Sequence, residues 1–396
     1  MRLHRTTCFA VVESLEQIFV EKKYADKVIE KTLKKDTRWG ARDRKFIAET
    51  TYDIVRWYRF FRSVTNAKGD DFWTLLAAWC ASHDIDLPDW KEFSGIPYKQ
   101  FKEKITQNHP VRKINESIPD WLDELGEKEL GKRWDAELTA LNEEAKVVLR
   151  VNTIKTTVQE LQQKLEEREV FTEIDKRFPD ALILEERQNV FQLPEFKEGL
   201  FEVQDAGSQA ISQFVNPKPG ARIIDACAGG GGKTLHLAAL SQSKGRIIAM
   251  DTEQWKLDEL KKRARRAGVS TVETRLIDSS KVIKRMEKSA DILLLDVPCS
   301  GIGVLKRNPD AKWKLSPAFV DDVKKAQQEI LSSYSVMVKP GGTLVYATCS
   351  VLFSENEGQV KKFLSENDSF ELNEEKRIWP SEGFDGFYMA RLTRKS

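Results

Sequence analysis

Residues 216–234 read NPKPGARIIDACAGGGGKT, and the reading of this stretch decides the fold. Pro217, Pro219 and Gly220 punctuate the chain. The apolar run RIIDAC after them reads as a buried strand, the four glycines Gly229–Gly232 as a tight turn, and the residues from Thr234 to about Ser241 as a helix. Such a strand, turn and helix place backbone N–H groups and a helix N-terminus at the carboxyl end of a sheet, where doubly wound α/β folds take their ligands.

The pattern repeats downstream. RIIAMD, a helix around Trp255 to Ala267, ETRLID, ILLLDV, a helix around Pro317 to Val338 and GTLVYAT alternate in the order of a parallel sheet covered on both faces. Upstream, residues 147–203 read as a small α/β module, from the extended runs VVLRVNT, ALILEE and NVFQL and the polar amphipathic helix TTVQELQQKLEER. Residues 1–140 read as all-α, because Phe9, Val12, Leu15, Ile18 and Phe19 recur at helical spacing, as do Phe46, Ile47, Tyr52, Ile54 and Val55. Trp73, Trp79 and Trp90 are expected to pack these helices together, and the KKRARR run at 261–266 to form a solvated helix face.

Composition excludes several classes. With 64 Lys+Arg against 62 Asp+Glu, the net charge of +2 marks no general polyanion binder, so any nucleic-acid site is a local patch. No apolar run approaches the roughly eighteen residues of a membrane helix. Glu13, Glu16 and Gln17 interrupt the N-terminal apolar pattern where a signal peptide would exclude them. Five cysteines, Cys8, Cys80, Cys227, Cys299 and Cys349, form no CxxC pair; reduced thiols in a cytoplasmic protein without a metal site are expected.

The glycine turn is not a phosphate loop, since the position six residues before Lys233 is Cys227 where GxxxxGK[ST] needs glycine. Asp251, which closes the strand RIIAMD, suits a ribose, and Asp278, which closes RLID, suits an adenine edge; the bland reading of each is a helix cap. The run ILLLDVPCSG delivers Asp296, Pro298 and Cys299 at one strand end, and GTLVYATCS delivers Cys349 at another. Cys8, Cys80 and Cys227 read as inert packing residues.

Three motifs in order, DACAGGGGKT, LLLDVPCSGIGVLKRNPD and YATCSVLFSENEGQV, resemble those of the RsmB/Nop/Sun family of S-adenosylmethionine-dependent RNA cytosine-5 methyltransferases. QDAGSQ at 204–209 and DGFYMARL at 385–392 extend the likeness, and RDRKFIAETTYDIVRW at 42–57 resembles the NusB-like helical domain of bacterial members. The resemblance implies a Rossmann-like class I methyltransferase fold. Its domains would be 1–140, a NusB-like RNA-binding domain; 147–203, a small RNA-recognition-like module; and 204–396, the catalytic domain. It implies Cys349 as nucleophile and Cys299 as the thiol that assists release, with Asp296 and Lys233 at the target base. S-adenosylmethionine would be held by Cys227, Ala228, Gly229, Gly230, Gly231, Gly232, Lys233, Asp251, Asp278 and Asp296. One departure stands out: where the family's turn has proline, as A-x-P-G-G-K, this chain has Gly230, so a more flexible turn and weaker cofactor binding are expected.

The implied chemistry needs a thiol, because addition of a thiolate to carbon 6 of cytosine makes carbon 5 nucleophilic enough to accept a methyl group. Asp296, with a pKa raised by burial, would serve ring nitrogen 3. The base must be single-stranded or flipped out to expose both faces. The expected partner is therefore RNA, ribosomal rather than transfer RNA on the bacterial likeness, bound by a monomer with no membrane and no metal. Lys306, Arg307, Lys312 and Lys314 are candidate phosphate contacts. Two other readings stand beside this one: a DNA cytosine methyltransferase, which uses a PC-motif cysteine and needs no TCS cysteine, and a non-catalytic ribosome-assembly factor that keeps the fold.

Overall fold

A computed structural model describes residues 2–67, 69–107 and 109–396. The chain divides into two compact units: residues 1–143 with 305–317, and residues 144–304 with 318–396.

The first unit is helical, as the periodicity predicts. Helices Arg5–Phe19, Ala25–Leu33, Ala41–Arg56, Tyr58–Thr65 and Phe72–Ser82 bury Leu15, Ile47, Ile54 and Leu76 completely. Trp79 joins that core, with Trp73 and Trp90 packed against it. Residues 305–317 belong here rather than with the sheet that precedes them in sequence. Asp310 accepts the Ala25 N–H at 3.0 Å, the Trp313 indole donates to the Val55 carbonyl at 2.6 Å, and Arg56 donates to the Lys306 carbonyl at 3.0 Å.

This placement corrects the phosphate-contact expectation for Lys306, Lys312 and Lys314. Lys306 is 3% exposed and bonded to Glu143 at 3.0 Å; Lys312 is 2% exposed and donates to the Asn142 side chain at 2.9 Å. Lys314 is turned onto Asp310 and the Lys23 carbonyl. Side chains buried or part-buried and bonded within the chain in this way are closed to a polyanion.

The second unit holds two sheets. The smaller contains β1 (Val148–Val151), β2 (Thr172–Glu173), β3 (Ala181–Leu184) and β4 (Phe201–Val203), antiparallel in the order β2-β3-β1-β4. A helix, Val158–Glu166, packs Leu161 and Leu165 into its core behind a Thr157/Glu160 capping box. NVFQL is not a strand: the Asn189 side chain accepts the Phe191 N–H, and Pro194 opens a helical turn, so Val190–Gln192 closes into a 3-10 turn.

The larger sheet comprises β5 (Arg222–Asp225), β6 (Arg246–Asp251), β7 (Val272–Leu276), β8 (Ala290–Asp296), β9 (Val338–Thr348), β10 (Phe370–Ile378) and β11 (Phe387–Arg394). Their order is β10-β11-β9-β8-β5-β6-β7. Strands β5 to β9 run parallel and β11 antiparallel to β9, the Rossmann-like α/β architecture the alternation implies. The order reverses between β5 and β8, which opens a crevice at their carboxyl ends. Among the described residues no helix is long and apolar enough to cross a membrane.

Burial drives the Lys312 ammonium well below its ordinary pKa, with the nearby Arg56 charge adding to the effect. The unfolded chain therefore binds a proton that the folded chain sheds, and this contribution to stability grows as pH rises towards the unfolded lysine value. Urea unfolding should find Lys312→Met more stable than wild type at neutral pH, with the gap closing in alkali. Asn142→Leu, which strands the amine, should lose about 3 kcal/mol. A gap that widens with pH would contradict this account.

Candidate active site

The register of β8 and β9 explains why the two cysteines meet. Asp296 lies opposite Ala347 in adjacent parallel strands, and the Val297 N–H donates to the Ala347 carbonyl at 3.0 Å. The PCSG and TCS segments thus leave the sheet side by side. Cys299 Sγ and Cys349 Sγ stand 3.1 Å apart, both half-buried and both free thiols. Gly303 locks the pair of loops: its N–H donates to the Cys349 carbonyl at 3.0 Å, and a Cβ there would meet the Gly386 carbonyl at 2.3 Å. Only glycine allows this approach.

A buried carboxylate then ties the loops together. Glu355, fully buried, accepts the Ser300 N–H at 2.7 Å and the Ser300 hydroxyl at 2.5 Å, and also takes the Ser350 hydroxyl. Gln327 donates both to Glu355, at 3.2 Å, and to the Pro298 carbonyl, at 2.9 Å. Ser300 and Ser350 are the residues next to the two cysteines, so one side chain fixes both. The hydrogen bond to the Cys349 sulfur, burial, the charge on Cys349 and the Glu355 charge hold the Cys299 thiol well above its ordinary pKa. At 3.1 Å either sulfur can donate to the other, and the raised pKa favours the protonated form of Cys299. Sequence reasoning quoted Glu355 within a motif and gave it no role, because its partners lie in loops 55 and 5 residues away.

Lys233 opens the helix Gly232–Leu240 and reaches across the crevice to Asp296, Nζ to Oδ2, at 2.6 Å. Burial opposes its charge most strongly, but the charge and hydrogen bond of Asp296, together with the charges of Cys349 and Asp225, outweigh burial and raise its pKa. The geometry therefore equips the Lys233 ammonium, rather than Asp296 alone, to carry a proton at this point. Cys8 and Cys80 are pushed up to about 12, chiefly by burial, as packing thiols are.

The expected cofactor residues divide. Cys227, Ala228, Gly229, Gly230, Gly232, Lys233 and Asp296 line a cavity of about 300 Å³ with Asp225, Gln204, Ser208 and Arg263. Asp251 stands behind the turn, accepting the Gly229 N–H at 2.9 Å, and Gly231 packs onto Leu260. Asp278 is exposed beyond the end of β7, where Ser279 donates to it at 2.9 Å. Asp225 was not singled out by sequence, yet it is 1% exposed, and its Oδ1 is buried without a hydrogen-bond partner among the described residues. Its other oxygen accepts the Thr234 hydroxyl at 2.7 Å. An unsatisfied acceptor inside a cavity asks for a donor from a ligand, which fits the ammonium of S-adenosylmethionine.

The helix Gln254–Ala267 carries the KKRARR run, and its basic residues are not one solvated face. Lys261 and Lys262 point outward, whereas Arg263 and Arg266 turn in to the buried Glu202 of β4. Inward-facing arginines have no periodic signature, since their partner is supplied by another sheet.

If burial and Glu355 raise the Cys299 pKa, alkylation of Cys299 by iodoacetamide in Cys349→Ser, read by peptide mass spectrometry against pH, should set in above the range of an ordinary thiol. Glu355→Gln should move that profile to lower pH. An unmoved profile would remove the electrostatic role assigned to Glu355.

A family model described as 16S rRNA methyltransferase RsmB/F matches residues 212–393, and an RsmF/B-like ferredoxin-like domain model matches residues 118–191. "Probable ribosomal RNA small subunit methyltransferase B" of Synechocystis is 32% identical, over 91% of this chain and 87% of its own. Ribosomal RNA small subunit methyltransferase B of Vibrio cholerae is 34% identical over 70% of this chain and 65% of its own length. The crystal structure of PH0851 superposes with a TM-score of 0.84 at 26% identity, covering 99% of both chains. The paired sulfurs, the glycine turn and the sheet that aligns them thus sit in a chain that belongs to the RsmB/F family of S-adenosylmethionine-type rRNA methyltransferases.

Proposed function

We propose that this protein methylates carbon 5 of a cytidine in small-subunit ribosomal RNA, through a covalent bond between Cys349 and the base. The observation that carries the reading is the pair of sulfurs 3.1 Å apart, just past the ends of the adjacent strands β8 and β9. A non-catalytic assembly factor has no need of two thiols held in contact by a buried carboxylate. A DNA-type enzyme has no use for the TCS cysteine. The names of the relatives favour ribosomal over transfer RNA, and reduced thiols suit a cytoplasmic setting.

S-adenosylmethionine, when bound, supplies an electrophilic methyl group. Asp225 and the glycine turn would hold it, with Asp296 and Lys233 lining the same cavity. Cys349 adds through sulfur to carbon 6 of an unstacked cytosine, and the displaced electron pair makes carbon 5 the nucleophile. Lys233, charged and bonded to Asp296, offers a proton or hydrogen bond to the ring as that charge develops. Once carbon 5 is methylated, loss of its proton to a base re-forms the double bond and expels the Cys349 sulfur. Cys299, still protonated, donates to the departing sulfur and assists release. The helical unit and the smaller sheet read the RNA.

RNA carrying 5-fluorocytidine cannot lose its substituent at carbon 5, so it traps the bond. Wild type should form an adduct stable to denaturing gels, Cys349→Ala none, and Cys299→Ala an adduct that accumulates even on ordinary RNA. Exchange of these two phenotypes would reverse the roles. Bisulfite sequencing of RNA from a deletion strain should lose one ribosomal signal; loss from transfer RNA instead would move the substrate class.

Burial pushes the Asp225 carboxyl up to about 7, with the Asp296 charge adding to it and the Thr234 hydroxyl and Lys233 opposing it. If its carboxylate receives the cofactor ammonium, S-adenosylmethionine should bind several-fold more tightly at about pH 8 than at about pH 6. Calorimetry should find this dependence flattened in Asp225→Asn. The same shift makes the group's contribution to folding fall as pH rises from the unfolded carboxyl value to about 7.

A further inference from the structure

We infer that Arg263 is a positioning residue for the cofactor turn, doing by hydrogen bonds what proline does in the family's A-x-P-G-G-K pattern. The inference rests on the reading that S-adenosylmethionine occupies this turn.

Four consecutive glycines give the unbound loop great freedom. Gly229 and Gly231 have φ of +53° and +84°, a region that favours glycine, but Gly230 lies outside it. Its backbone does not demand glycine. Nor does the main chain crowd it: a Cβ at 230 would find one heavy atom within 4 Å, Arg263 Nη1, at 3.3 Å. The guanidinium fills the space where a side chain would stand.

Arg263 Nη1 donates to the Gly230 carbonyl at 2.6 Å. The same peptide group's N–H, that of Gly231, donates to the Ala228 carbonyl at 2.9 Å. This peptide is therefore bonded at both ends, which fixes its plane. Glu202 holds the arginine in turn, accepting from Nε at 3.2 Å and Nη2 at 3.0 Å while being 4% exposed itself. One helical turn earlier, Leu260 packs under Gly231, so a single helix supports the turn by contact and by hydrogen bond. Arginine suits the task because its fork serves carbonyl and carboxylate together, which a lysine point charge does not. The loop without proline is thereby ordered through the smaller sheet that carries Glu202.

The test is a double-mutant cycle on the full chain, with S-adenosylmethionine affinity measured by calorimetry and folding checked by circular dichroism. Arg263→Ala should weaken binding about tenfold, the loss of one charged hydrogen bond. Gly230→Pro in wild type should bring no gain, because the ring meets Arg263. In the Arg263→Ala background Gly230→Pro should restore affinity to within about threefold of wild type, since proline fixes φ without the guanidinium. If Arg263→Ala misfolds, Arg263→Lys, which leaves a cation beside Glu202, takes its place in the cycle. Affinity unchanged in the arginine variant, or not restored by proline, overturns the inference. Absence of binding by wild type would overturn the cofactor reading itself, a distinct result.

Discussion

Glu355 sits without solvent between two loops and takes hydrogen bonds from Ser300 and Ser350. A buried carboxylate is costly unless its acceptor sites are filled, and here the donors that fill them are the neighbours of Cys299 and Cys349. The need to satisfy that charge therefore fixes the distance between the sulfurs. The Glu355 charge also adds to the hydrogen bond to Cys349, the burial and the Cys349 charge that raise the Cys299 pKa. Sheet register brings the loops together, Gly303 lets them touch, and Glu355 stops them parting.

The cofactor side of the crevice is built by the same economy of buried charge. Arg150 and Arg263 each bind a carbonyl of the glycine turn, Gly232 and Gly230 respectively, while Asp251 takes the Gly229 N–H. A run of four glycines would be mobile in isolation, yet its peptide groups are held from three directions. Asp225, which lines the cavity with Lys233 and Asp296, keeps its Oδ1 buried without a hydrogen-bond partner among the described residues. The turn is thus prepared for a ligand that brings its own donors.

Residues 305–317 follow the PCSG motif in sequence but fold with the helical unit. Their lysines are consumed by Glu143, Asn142 and Asp310. A cation's value for binding RNA depends on its being free of nearer partners, so charge counted along the chain overstates what the surface offers.

The sequence by itself determined the parallel sheet, the helical first half, the glycine turn and the strand-end cysteines, because apolar periodicity, glycine and proline act locally and leave their mark in consecutive residues. Motif order pointed to the family for the same reason. Tertiary structure alone decided that Cys299 and Cys349 touch, that Lys233 pairs with Asp296, and that Lys312 and Arg263 face inward. It alone left Asp225 an open acceptor and made a 3-10 turn of NVFQL. In each case the deciding partner lies on another element, brought near by sheet order and register, and a charge cannot be read as buried, paired or free until that partner is in place.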